Sequence, residues 1–222
     1  MQLRHEYKHL ITPADFAVLR ARLAAVMQPD PHAGSDGVYR IRSLYFDTPD
    51  DRILREKLDG LGRREKYRIR LYNGSDALIR LEKKVKIGDL GTKLSASLSR
   101  AETQRLLDGN IEFLRDRPEE VLHELYAAMR CDRLQPKTLV DYTRIPFIYP
   151  PGNVRVTLDY NIRSGLYARD LFADVPTLPA GGGAIILEVK YDNFLPDVIR
   201  SAVQLGGPSA SAFSKYAACR QF

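Results

Sequence analysis

Lys66, Arg68 and Arg70 occupy every second position of the segment Lys66-Tyr67-Arg68-Ile69-Arg70-Leu71-Tyr72, and Arg80, Glu82, Lys84 and Lys86 do the same shortly afterwards, opposite Ile79, Leu81 and Val85. A guanidinium fork grips phosphate oxygens in pairs, and an ammonium acts as a mobile point charge, so a mixed row of such cations can hold several phosphates in sequence. That chemistry needs the cations on one surface. Residues two apart on a β-strand share a face, and here the alternate face is apolar.

The elements that would position these groups follow from the same alternation. It returns at 4–8, 154–159 and 185–190, more weakly at 139–144, and a further strand is expected from 38 to 46. Each charged face mixes acid with base. Asn73-Gly74 suits the primed turn that joins the segments around 66–72 and 79–86 into a hairpin. Thr12-Pro13-Ala14-Asp15 supplies a capping hydroxyl, a first-turn proline and an acid ahead of Phe16, Leu19, Leu23 and Val26 at helical spacing. Ser99-Arg100-Ala101-Glu102 is a capping box opening a second helix, a third is expected over 118–130, and a fourth over 196–218 with a break at Gly206-Gly207-Pro208. The segment 174–183 and Tyr149-Pro150-Pro151-Gly152 read as loop and turn.

Length and composition narrow the class. A chain of 222 residues with 44% apolar residues can fill a sizeable core, and the expectation is one domain over 1–222. Lys and Arg number 34 against 28 acids, a net charge of +6, so an anionic partner fits. The opening MQLRHEYKHL is charged where a secretory leader would be apolar, and no stretch approaches a membrane span, so the expectation is a soluble, cytoplasmic chain. Cys131 and Cys219 lack partner spacing and read as core residues; the four histidines are scattered, and no phosphate loop of the G-x-x-x-x-G-K-[ST] type occurs.

Two arrangements satisfy the pattern. An ordinary sheet covered by helices would turn its charges to water. About seven or eight strands can instead close into a barrel with apolar faces outward beneath helices and charges within. Such a lumen would hold many cations and few carboxylates, stable only with anions bound among them; a phosphate chain, or a nucleoside triphosphate with a divalent metal, has the required charge.

Several runs resemble one family: Arg4-His5-Glu6-Tyr7-Lys8, Ser43-Leu44-Tyr45-Phe46-Asp47-Thr48-Pro49, Arg55-Glu56-Lys57-Leu58-Asp59-Gly60, Arg64-Glu65-Lys66-Tyr67-Arg68-Ile69-Arg70-Leu71-Tyr72, Leu81-Glu82-Lys83-Lys84, Asp141-Tyr142-Thr143-Arg144, Leu187-Glu188-Val189-Lys190-Tyr191 and Phe213-Ser214-Lys215-Tyr216. In order and across nearly the whole chain they resemble the VTC domain, the polyphosphate-polymerase branch of the triphosphate tunnel metalloenzymes, relatives of the CYTH proteins. The resemblance implies an α+β fold, a closed antiparallel barrel of about eight strands with flanking helices. It implies that Lys8, Arg68, Arg70, Lys84, Arg144 and Lys215 form the catalytic cation set. Lys93, Tyr142, Arg155, Lys190 and Ser214 would add phosphate contacts. Glu188 would hold Mn²⁺ or Mg²⁺, with Glu82 and Asp159 as lesser metal candidates; Glu82 could equally pair with a neighbouring lysine. One departure stands out: the first acid of the usual E-x-E-x-K strand is replaced, giving Arg4-x-Glu6-x-Lys8, which disfavours a second metal and water activation by an acidic pair.

The implied activity is transfer of the ATP γ-phosphate to phosphate or a growing polyphosphate chain. Hydrolysis of tripolyphosphate or nucleoside triphosphates is an alternative in the same lining, and a non-catalytic module binding polyphosphate or inositol phosphates is another. Nucleic acid is disfavoured, since the cations are spread over many strands and no recognition motif occurs. A separate membrane partner is conceivable from the fungal relatives, and nothing in this chain fixes an oligomeric state.

Overall fold

The computed structural model describes residues 4–88, 90–206 and 213–221. Eight strands follow one another across a single antiparallel sheet: β1 (His5–Ile11), β3 (Tyr39–Asp47), β4 (Arg63–Tyr72), β5 (Ser75–Ile87), β6 (Leu90–Leu98), β7 (Gln135–Tyr149), β8 (Val154–Ser164) and β10 (Ile185–Tyr191). Their spatial order is β1-β10-β8-β7-β3-β4-β5-β6, and the two-residue strands β2 (Gln28–Pro29) and β9 (Leu178–Pro179) attach to β7 and β8. The expected strands all form. β6 had no alternation to announce it, because Gly91, Thr92, Ser95 and Ser97 blur the contrast between its faces.

The helices are α1 (Pro13–Val26), α2 (Arg52–Leu58), α3 (Arg100–Leu107), α4 (Glu120–Cys131), α5 (Asp197–Val203) and α6 (Lys215–Ala218). Both expected capping boxes are present, Thr12 with Asp15 on α1 and Ser99 with Glu102 on α3. α1 lies over β1, β8 and β10, and buries Leu19 and Leu23 completely. A side chain of that size contributes about 1.5–3 kcal/mol when fully buried. α3 and α4 cover the other half of the sheet through Leu106, Leu122 and Leu125 against Ile69, Leu81 and Leu98. Both apolar faces of the sheet are thus outward, beneath helices, and the charged faces turn inward. At the β4–β5 turn, Asn73 and Gly74 have φ of 54° and 68°, the left-handed pair that a type I′ turn requires, which sets Tyr72 opposite Ser75.

The expected closed barrel is not what forms. The sheet curls into an open half-barrel whose edge strands meet, among the described residues, at a single bridge between Arg4 and Gly91. The reason is register: continuing that pairing would set His5 against Leu90 and carry β1 past the β5–β6 turn, where Gly88 already reverses the chain with φ of 56°. Two further expectations change. Cys131, read as core, is exposed, while Cys219 is buried. The fourth helix is limited to α5, with α6 forming separately; part of the predicted break, Gly207-Pro208, lies outside the described residues. No helix among the described residues is long and apolar enough to cross a membrane.

Candidate functional site

The inner face of the half-barrel borders one cavity of about 570 Å³. Lys8, Glu82, Lys84, Lys93, Arg68, Arg70, Tyr142, Arg144, Arg155, Glu188, Lys190, Ser214 and Lys215 all line it. Asp159 is fully buried beneath that lining. The sequence-predicted residues are therefore brought together on one surface, from seven different strands and from α6.

Strand register decides who neutralises whom. On β1 and β10, Glu6 stands opposite Lys190 and Lys8 opposite Glu188, a two-by-two checkerboard. Lys8 Nζ lies 2.8 Å from Glu6 and 3.6 Å from Glu188, and Lys190 pairs with both acids as well. Burial opposes the charge on Glu188, yet Lys190, Lys8, Arg144 and Lys215 hold its carboxyl far below the usual range, and it stays ionised. Lys8 is buried too, but Glu188 and Glu6 keep it charged. Next along, Arg144 opposes Asp159 across β7 and β8 with a two-pronged bond of 2.6 and 2.8 Å, and Lys215 reaches the same carboxylate at 2.6 Å. Lys215 also sits 4.6 Å from the centre of the Tyr142 ring, flanked by Arg144 and Arg70.

The β4–β5–β6 side is built differently. Arg64 opposes Lys86, Lys66 opposes Lys84, Lys84 opposes Lys93, and Arg70 opposes Arg80. Only Arg68 has an acid directly across the ladder, Glu82, at 2.7 Å. Lys84 finds its partner across the seam, Glu6 at 2.6 Å, while burial and nearby Lys8 bring its ammonium down to about 8. Lys66 has no carboxylate partner among the described residues; burial, with Lys8, Lys84 and Arg68 nearby, pushes it down to about 7. Tyr45 stands opposite Arg68 on β3 and accepts a hydrogen bond from it at 2.9 Å. Burial alone would raise the phenol, but Arg68, Lys66 and Arg70 outweigh it and bring it to about 7.

α6 is held in place by a clasp that the sequence did not announce. Asp47, at the end of β3, accepts from the backbone N–H groups of Thr48, Ile53 and Leu54 at the start of α2, and from the Tyr216 hydroxyl at 2.6 Å. Tyr216 stacks on Tyr45, and Arg220 bonds Asp51 at 2.9 Å. Lys215, the neighbour of Tyr216, thereby reaches the cavity. Glu6, Tyr45 and Lys66 are among the lining residues that were not assigned a ligand role from the sequence. Lys66 was legible in principle, since it shares the parity of Arg68 and Arg70.

For a divalent cation, the donor set favours one corner. Glu82 and Asp159 are each bound by an arginine and a lysine, which leaves them little to offer a metal. Among the described residues, Glu188 and Glu6 are carboxylates on adjacent strands held by the movable ammonium groups of Lys8 and Lys190 and by no arginine fork, and the Thr157 hydroxyl opposite Glu188 is buried without a hydrogen-bond partner. No cluster of three or more acids, histidines or cysteines occurs among the described residues. Two carboxylates and a hydroxyl suit an ion that takes its remaining ligands from a substrate's phosphates, as Mg²⁺ commonly does.

Comparison with known proteins bears on this architecture. A family model described as the VTC domain matches residues 3–222. No curated protein matches the chain. Among solved structures, the chain is similar to a candidate adenylate cyclase from Bacillus halodurans, at 18% identity over 90% of this chain and 86% of that one, with a TM-score of 0.50. It is also similar to a protein from Pyrococcus horikoshii, at 14% identity over 90% and 84% of the two chains, with a TM-score of 0.45. At 18% identity the first likeness speaks to the fold alone.

Proposed function

Since the chain belongs to the VTC domain family, we propose that it is a metal-dependent polyphosphate polymerase, moving the γ-phosphate of ATP onto phosphate or a growing polyphosphate chain. The observation that carries the reading is the convergence of Lys8, Arg68, Arg70, Lys84, Arg144 and Lys215 on one cavity, with ionised Glu188 among them. Cations at this density favour a ligand with several negative charges in a row.

Phosphoryl transfer asks for positioning and charge neutralisation more than for covalent work by the protein. Arg68 and Arg70 present guanidinium groups to the phosphates from β4, with Arg144 and Lys215 facing them from β7 and α6. A terminal phosphate oxygen of the acceptor, already anionic near neutral pH, attacks the γ-phosphorus in line; the bond to the β–γ bridging oxygen breaks, and ADP departs with that electron pair. No general base is required. Glu188, with Glu6 and Thr157 beside it, would hold Mn²⁺ or Mg²⁺, which when bound would supply Lewis-acid offset of the phosphates' charge.

The test is direct. Purified protein incubated with ATP and Mn²⁺ should release ADP in step with polyphosphate chains resolved by gel. Release of orthophosphate without chain growth would replace the polymerase reading by hydrolysis; tight phosphate-chain binding without turnover would make it a binding module.

A further inference from the structure

Glu82 is, among the described residues, the one carboxylate on the inner face of β4, β5 and β6, and its position is unusual for an acid in a site that takes anions. It is 3% exposed. Its Oε2 accepts from Arg68 at 2.7 Å, its Oε1 accepts from Lys93 at 2.7 Å, and Arg70 Nη1 lies 3.8 Å away. Arg68 Nη2 also lies 2.7 Å from Glu82, and its Nη1 donates to the Tyr45 hydroxyl. Arg70 donates from Nε to Ser43 and from Nη2 to Tyr142. In this arrangement Arg68 and Lys93 cannot turn a full set of donors to a phosphate unless Glu82 lets go.

Resting on the proposed function, we infer that Glu82 is a built-in counter-anion that competes with phosphate for Arg68 and Lys93, and so limits how tightly the cavity holds its chain. The physical need is plain. Arg64, Lys66, Lys84, Lys86 and Lys93 on this wall oppose one another, and like charges set directly across a ladder repel. With no acid among them, the wall would bind a polyanion too firmly to release it. One fixed carboxylate keeps Arg68 and Lys93 oriented when the cavity is free and opposes the ligand's charge when it is full. Arg68, Arg70 and Lys93 overcome the effect of burial and keep this carboxyl ionised throughout the working pH range.

The experiment uses inorganic tripolyphosphate as probe, with its affinity and release rate measured on the full chain, first with chelator and then with Mn²⁺. Glu82→Gln keeps the shape and removes the charge. The expected result is metal-free binding tighter by about tenfold or more, carried mainly by slower release. Unchanged or weaker metal-free binding overturns the inference. So does a variant whose only defect is a smaller gain from Mn²⁺, which would make Glu82 a metal ligand. If Glu82→Gln does not fold, Arg68→Gln is compared with the double variant Arg68→Gln/Glu82→Gln, in which one charge of each sign is lost. The double variant should regain the affinity that Arg68→Gln loses, and failure to regain it overturns the inference. Wild-type protein that binds no tripolyphosphate would remove the functional reading itself, whereas binding by wild type with no tightening in Glu82→Gln removes only the role of Glu82.

Discussion

The two walls of the cavity use the same residue types in opposite arrangements. On β1, β10 and β7–β8, most cations face an acid across the ladder, Glu6 facing Lys190, Lys8 facing Glu188 and Arg144 facing Asp159, while Arg155, opposite Lys190, pairs instead with Asp30. On β4, β5 and β6, cation faces cation four times, at Arg64–Lys86, Lys66–Lys84, Lys84–Lys93 and Arg70–Arg80, with Glu82 as the single acid on that face among the described residues. The first wall is paired acid with base within itself, and its buried charges depend on one another. The second is held in place by the scaffold, and its surplus charge is available to a ligand. Catalysis by metal and binding by cations would accordingly divide between them.

That division can be broken most sharply by activity. Glu188→Gln should lower ADP-coupled polymer formation by on the order of a hundredfold or more while metal-free tripolyphosphate binding persists, whereas Arg68→Ala should lose both. Full activity of either variant would remove the site assignment. Stability separates the walls next. Arg144→Met leaves Asp159 buried with only Lys215, and should cost about 3–5 kcal/mol in urea unfolding. Lys66→Met removes a cation that faces Lys84, and should leave the unfolding midpoint unchanged or raised. An equal loss in both variants would mean that the walls do not differ in this way.

The smallest effect is one of pH. Lys66 and Tyr45 both titrate at about 7. As pH rises through that value, one loses a positive charge and the other gains a negative one, so metal-free anion affinity should fall. Folding moves the other way: unfolded lysine holds its proton to about 10.4, so above about 7 the unfolded chain binds more protons at this position and stability rises with pH. Lys66→Met should flatten the stability rise and reduce the fall in affinity, which a pH series of unfolding midpoints and binding isotherms would show.

Much of this was legible in the residues. Alternation at Lys66, Arg68 and Arg70 assigned a strand and the face those cations share, Asn73-Gly74 assigned the turn, and Thr12 and Ser99 with their acids marked two helix starts. The seam was not legible, because it depends on where the β5–β6 turn falls relative to β1, and α2 was missed because its start is capped by Asp47 from the preceding strand rather than by a local box.

By itself the sequence determined which side chains travel together, because a strand has a side-chain period of two and each residue's parity is local information. It could not determine the sign of that parity, inward or outward, which was decided by α1, α3 and α4 packing on the apolar faces. Nor could it decide which acid neutralises which base. Glu6 with Lys84, and Asp159 with Lys215, are pairings between groups far apart in the chain, and only the register and curl of the assembled sheet bring their charges within reach.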